Sequence, residues 1–226
     1  MVLVYLVVCF FVFLAGFVDS IAGGGGLISL PAYMIAGLPV HTAIATNKMS
    51  SSMGTFVASF HYMKKGFMKW KICIPAVFGA IAGSWIGSHL ALLISEKGKD
   101  ENATEVINGM LIFKSILIAA VVGIYDGIYG PGTGTFLMLL FTGFCHMTLN
   151  DAVGATKAIN LTTNITALVV FLINGKVLLP LGIAAGVCNM AGNYLGSHSF
   201  TSNGHKIVKP VMIVVIVIFF IKVLTE

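Results

Sequence analysis

Residues 16–26 read Gly-Phe-Val-Asp-Ser-Ile-Ala-Gly-Gly-Gly-Gly, and residues 123–134 read Gly-Ile-Tyr-Asp-Gly-Ile-Tyr-Gly-Pro-Gly-Thr-Gly. In both, an apolar run reaches an aspartate and then breaks on a string of glycines. At an offset of 107, Gly16, Asp19, Ile21, Gly23 and Gly25 fall on Gly123, Asp126, Ile128, Gly130 and Gly132. Further along, at an offset of 109, Ala43, Lys48, Ala58, Gly66, Gly83, Gly87, Ser88 and His89 fall on Ala152, Lys157, Ala167, Gly175, Gly192, Gly196, Ser197 and His198. Chance matches glycines, but not aspartate, lysine and Gly-Ser-His in one order. The chain is an internal duplication.

Around the breaks the chain is mostly apolar. Residues 2–22 form one run, and runs at about 42–62, 72–94, 107–126, 151–173, 177–197 and 206–224 are long enough to cross a bilayer core. The pieces after the breaks, Leu27 to Gly37 and Thr135 to Cys145, are too short and read as halves of broken helices or re-entrant segments. Hydrophobic residues make up 58% of the chain, charged ones 9%, and the mean hydropathy is +0.99. A water-soluble surface needs far more charge, so lipid is the solvent. The runs lack the alternation of barrel strands. The expected fold is therefore all-α: a polytopic transmembrane helix bundle with an internal two-fold repeat and broken or re-entrant helices at the Gly-rich motifs.

The first run lacks a basic leader and a cleavage site and reads as a retained span. Cys9, Cys73, Cys145 and Cys188 lie singly in apolar segments, without metal spacing. All the basic residues are lysines, and Lys64, Lys65, Lys69 and Lys71 cluster in one loop, which the positive-inside rule places in the cytoplasm. That is a topogenic signal rather than a nucleic-acid surface.

The organisation expected is a first transmembrane repeat at 1–95, a polar loop at 96–106 and a second repeat at 107–226. The second half ends on a span, His205 to Leu224, whose counterpart of about 20 residues is absent near Lys97–Asp100. Counting crossings, the halves are parallel repeats if that span is present and inverted if it is not; both kinds occur in transporters.

Unwound backbone inside a membrane is tolerated where it lines a polar cavity. Glycines at 24, 25 and 26 and Gly132, Thr133 and Gly134 would let a ligand approach the backbone, and helix N-termini there attract anions. Paired breaks are the strongest pointer to a binding site in such chains, although close packing of small residues would also explain them. Lys48 and Lys157 lie about seven residues into matching spans, where a lysine costs about 2.5–3.5 kcal/mol at mid-membrane. Each therefore needs a partner or an anion, unless it snorkels. Asn47, Ser51 and Ser52 accompany the first, and Thr156, Asn160 and Asn164 the second; i+3 and i+4 spacing puts several on one helical face. These donors suit an oxyanion, or simple interhelical bonding. Asp19 and Asp126 are candidates for capping the short helices, pairing with the lysines, or carrying a coupled proton. No metal cluster, cofactor motif or catalytic constellation is visible, so an enzyme is not expected.

Ala15-Gly-Phe-Val-Asp-Ser-Ile-Ala-Gly-Gly-Gly-Gly-Leu27 with Ala43-Ile-Ala-Thr-Asn-Lys48 resembles the first-half signature of the TauE/SafE family of sulfite-exporter-like permeases. The stretch 123–134 with Ala155-Thr-Lys157 through Asn164 resembles the second-half signature. The resemblance covers nearly the whole chain. It implies a multi-pass transporter of the bacterial or archaeal plasma (inner) membrane, built from two four-span repeats and handling sulfite, organosulfonates or other sulfur compounds.

The expected function is thus secondary transport of a small anion, with sulfite, an organosulfonate or another sulfur oxyanion as cargo, by alternating access at a central site between the repeats. A passive anion channel, and a cation or proton-coupled transporter using Asp19 and Asp126, are the rivals. The expected partners are the small anion, the bilayer and a coupling proton or ion, with no nucleic acid; a homo-oligomer is left open.

Overall fold

The computed structural model describes residues 2–93, 110–128, 130–203 and 205–225; among them are nine helices and no strand. They are α1 (Val2–Ala22), α2 (Gly26–Ile35), α3 (Val40–Lys64), α4 (Trp70–Leu93), α5 (Met110–Ile128), α6 (Thr133–Gly143), α7 (Leu149–Ile173), α8 (Leu179–Asn203) and α9 (His205–Thr225). Each falls on an apolar segment expected from the sequence. The polar stretch 96–106, and the place of the absent span, lie outside the described residues.

Local chemistry sets the boundaries, and it repeats. Pro39 precedes α3, and Thr148 caps α7 by accepting the Asp151 N–H at 3.2 Å. Both helices end on a glycine in the left-handed region, Gly66 at φ +73° and Gly175 at φ +64°. The 10 residues of α2 and 11 of α6 make rods of roughly 15 Å, half a bilayer core.

Glycine seams fix the helix directions. Gly79, Gly83 and Gly87 of α4 abut the carbonyls of Ile116, Ala120 and Ile124, so α4 and α5 run parallel. Gly192 and Gly196 of α8 meet the carbonyls of Phe13 and Phe17 in the same register, so α1 and α8 run parallel too. Gly182 and Gly186 of α8 face Met49 and Met53, which makes α3 parallel to α8. By contrast α3 and α7 cross antiparallel: Lys48 reaches Asn164, while Ser59 reaches the carbonyl of Lys157.

Two groups of helices result. α1, α2, α8 and α9 gather around α3, and α4, α5 and α6 gather around α7; the principal contact between the groups is the α3/α7 crossing. Neither group is a sequence half. The α3-centred group takes α8 and α9 from the second half, and the α7-centred group takes α4 from the first.

The short helices double back. Leu30 and Tyr33 of α2 pack with Val8 and Val12, so the α1–α2 hairpin enters and leaves at one face. Phe141 and Cys145, at the end of α6, pack with Met68 and Cys73 at the other face. The halves are therefore inverted about a two-fold axis perpendicular to the helices. This corrects the crossing count made from the sequence, which treated each break as part of a crossing. Because the hairpin returns, α4 ends and α5 begins on opposite faces.

Outward surfaces are apolar, with Phe10, Ile35, Phe56, Phe78, Phe113, Ile173 and Val187 all exposed. A bilayer is the medium that covers such a surface. The segments Leu3–Ala22, Trp70–His89 and Leu149–Ile173 are long and apolar enough to cross it. In α3 and α8 buried polar faces lower the mean hydropathy.

Candidate functional site

Lys48 and Lys157 are each the ninth residue of their helix, α3 and α7, at the level of the breaks. Both are buried. A buried ammonium must be paired, and inversion supplies the partner from the opposite half. Lys48 Nζ lies 2.6 Å from Asp126 Oδ2, and Lys157 Nζ lies 2.6 Å from Asp19 Oδ2. Both pairs also bridge the two helix groups.

The pairs differ in detail. Lys157 donates to the Asp19 carboxylate and to the Asp19 backbone carbonyl, and the Gly25 N–H donates to Asp19 Oδ1 at 3.3 Å. Lys48 pairs with Asp126 and also donates to Asn164 Oδ1 at 3.2 Å. The Thr133 hydroxyl donates to Asp126 Oδ1 at 2.9 Å. Position 26, its counterpart in the first half, is glycine. That single difference leaves the second-half aspartate on a hydroxyl and the first-half one on a backbone amide.

The breaks themselves meet. Gly23 at φ +73° lies against the backbone of Gly134 and Thr135, and its counterpart Gly130 has φ +90°. Conformations of this kind are open to glycine at little cost. The Thr135 hydroxyl donates to the Ala22 carbonyl at 3.0 Å and ties one break to the other. In the opening turns, Leu27 and Ile28 N–H bond back to Gly24 and Gly25, and Thr133 N–H to Gly130. These N–H groups are therefore already used within the breaks.

Between these elements lies a small polar cavity of about 30 Å³, lined by Asp19, Gly24, Gly26, Asn47, Lys48, Ser51, Asp126, Gly130, Gly132, Thr133, Gly134, Asn160 and Asn164. Space of that size accommodates one or two waters or a very small ion. Asn47 Oδ1 and Asn160 Oδ1 are buried there without a protein partner among the described residues. Which end of each amide carries oxygen is an assignment, so either amide can offer donors to a bound group.

Most of the residues read from the sequence come together here. Lys157, Ser52, Thr156 and Gly25 do not line the cavity. Lys157 is sealed behind Asp19, Ser52 bonds the Lys48 carbonyl at 2.7 Å, and Gly25 serves Asp19. Thr156 is buried, and its hydroxyl has no partner among the described residues. Sequence reasoning omitted Gly130 and set Asp19 and Asp126 apart from the binding residues; their position at the breaks was the available signal. His89 and His198 lie away from the site and repeat one motif, each Nδ1 on a carbonyl one turn back, of Trp85 at 2.8 Å and Tyr194 at 3.0 Å.

The chain is similar to known proteins along most of its length. The family profile "Sulfite exporter TauE/SafE" matches residues 8–113 and 97–223. A probable membrane transporter protein of Sinorhizobium sp is 32% identical, covering 95% of this chain and 90% of its own. The probable membrane transporter protein YfcA of Escherichia coli K12 is 31% identical, covering 97% and 89%. One from Haemophilus influenzae is 28% identical, covering 89% and 87%. The first two alignments run over 242 positions against 226 residues in the whole chain, so each relative has at least 16 residues without a counterpart here. No solved structure matches. A membrane helix bundle, matched along nearly its whole length by these transporters, belongs to the sulfite exporter TauE/SafE family.

Proposed function

We propose that this membrane transporter moves a small anion, a sulfur oxyanion such as sulfite, by alternating access at the cavity between its inverted halves. One observation carries the reading: a single polar cavity sits where both breaks, both lysine–aspartate pairs and the amides of α3 and α7 converge. Lys48 is the lysine that lines it, and Asn47, Ser51, Asn160 and Asn164 are the neutral groups able to replace an oxyanion's hydration. The small volume favours inorganic oxyanions over larger organosulfonates, and the family's description points to sulfite.

Alternation would rock the α3-centred group against the α7-centred group. The two ion pairs and the Thr135–Ala22 bond span that boundary, so they would be remade with each cycle. Inverted repeats suit this motion, because exchanging the conformations of the two halves turns an inward-facing form into an outward-facing one. Energy would come from an ion gradient or the membrane potential.

Sidedness follows from charge. Lys64, Lys65, Lys69, Lys71, Lys114, Lys206 and Lys209 lie toward one face, and Lys176 and Lys222 toward the other. The positive-inside rule puts the lysine-rich face in the cytoplasm of a plasma membrane. A cation reading has one observation in its favour, since both carboxylates line the cavity. Each already faces a lysine, however, so a cation would have to displace it.

The test is flux into proteoliposomes with sulfite, thiosulfate, sulfate and sulfoacetate. Saturable uptake of an inorganic oxyanion, weaker for sulfoacetate, supports the reading. Flux of cations alone, with stable protein and no anion flux, overturns it.

A further inference from the structure

The charges around the cavity balance. Lys48 and Lys157 bring two positive charges, Asp19 and Asp126 two negative ones, and both pairs are closed. An anion entering this site brings a charge with no free counter-charge, and an unbalanced charge in a buried site is strongly unfavourable. Something positive has to arrive with it. The two pairs show where.

Lys157 is committed: its side chain is 0% exposed, and it holds both the carboxylate and the main chain of Asp19. Lys48 lines the cavity, and it is shared between Asp126 and Asn164 rather than held by one residue. The cheapest response to an anion is therefore for Lys48 to turn from Asp126 to the anion, steered by Asn164, to which it already donates. Asp126 then keeps the Thr133 hydroxyl on Oδ1 and has no cation at Oδ2. A carboxylate left alone in a buried place takes up a proton.

We propose that Asp126 Oδ2 is the coupling-proton site of this transporter, loaded when Lys48 transfers from Asp126 to the anion and emptied when the anion leaves. This inference rests on the anion reading above and supplies its driving ion. The proton comes from water on the side where the anion enters and returns to water on the other side. Lys48 then re-pairs with Asp126. The groups facing Asp126 permit the exchange. α3 contributes Lys48, and α1 contributes Asp19, already neutralised by Lys157 of α7. α6 contributes the Thr133 hydroxyl. At this level α4 presents Ser84 and Ser88 to Gly127, while His89 is exposed and bonded to the Trp85 carbonyl.

The assignment distinguishes two aspartates that the sequence makes equivalent. Asp126 is the proton carrier, and Asp19 is a fixed counter-ion that positions the first break. Thr133 opposite Gly26 is the residue difference behind this division.

The experiment uses the full chain in proteoliposomes with radiolabelled sulfate or thiosulfate, both fully ionised across the pH range used, so that any proton moved is carried by protein. Two readouts are kept apart: anion exchange with equal pH on both sides, and uptake driven by an acid-outside gradient with a pH dye trapped inside. A gradient of about one pH unit should drive accumulation approaching tenfold per coupled proton. The dye should report protons entering with the anion. In Asp126→Asn, whatever exchange remains should lose gradient-driven accumulation and proton entry together. Exchange without proton entry in the unaltered protein overturns the proton site and leaves the anion reading standing. Proton coupling that survives Asp126→Asn also overturns it. If Asp126→Asn fails to fold, the dye measurement on the unaltered protein still decides whether protons move. Absence of exchange with these anions and with sulfite alike removes the anion reading, and this inference falls with it.

Discussion

Lys48 was legible in the sequence because its spacing from Ser51 and its repetition as Lys157 set it apart from snorkelling lysines. Its partner was not, because pairing with Asp126 rather than Asp19 depends on the inversion, which no local pattern encodes. The crossed pair makes a sharp prediction. Lys48→Met leaves a buried carboxylate without its cation and should destabilise by about 3–5 kcal/mol. Lys48→Met combined with Asp126→Asn should recover most of that loss while transport stays absent, a coupling that a double-mutant cycle reads directly. Thermal unfolding of detergent-purified protein, with flux alongside, measures both. A second prediction concerns Gly23. An alanine there takes on a left-handed φ of +73°, worth about 1–2 kcal/mol, and its Cβ also strikes the Gly134 backbone. Gly37→Ala has a similar φ of +86° but open space around it, so it should show the conformational cost alone. Comparable melting temperatures for the two variants would mean that contact between the breaks contributes little.

At the scale of elements, hydropathy located every described helix, because each is an uninterrupted apolar or amphipathic run between glycine, proline or polar stops. What it missed was direction. A hydrophobic stretch followed by a short one looks the same whether the second continues the crossing or turns back. The return of α2 is visible only through Leu30 and Tyr33 meeting Val8 and Val12. The consequence is testable on loops. Lys69, between α3 and α4, and Lys176, between α7 and α8, should lie on opposite faces. In a chain stripped of its four native cysteines, cysteine at position 69 should be shielded from a membrane-impermeant maleimide applied to intact cells. Cysteine at position 176 should react. Labelling of both from one side would contradict the inverted arrangement, and labelling of 69 alone would keep inversion but reverse the sidedness.

For the whole molecule, the unit of motion is decided by packing rather than by the duplication. α1 lies in register on α8, with glycines meeting carbonyls, and such seams do not slide without loss of close packing. The α3/α7 crossing combines apolar packing with the Lys48–Asn164 and Ser59–Lys157 hydrogen bonds, and these polar contacts have alternatives. If the two groups rock as bodies, a link within one group is harmless and a link between groups stops the cycle. The chain carries the first kind of site already. Cys9 and Cys188 are neighbours across α1 and α8, at the same register offset that brings Phe13 to Gly192 and Phe17 to Gly196. Bridging them with a short bifunctional thiol reagent joins the two sequence halves but stays inside one group, so flux should fall by less than about half. Ala22→Cys with Thr135→Cys, placed where the Thr135 hydroxyl meets the Ala22 carbonyl, links α1 to α6 across the boundary. The same reagent there should abolish flux, and a reducing agent should restore it. The opposite pattern, arrest through Cys9 and Cys188 with tolerance at 22 and 135, would mean that the sequence halves themselves are the moving bodies and that the α1/α8 seam is where they part.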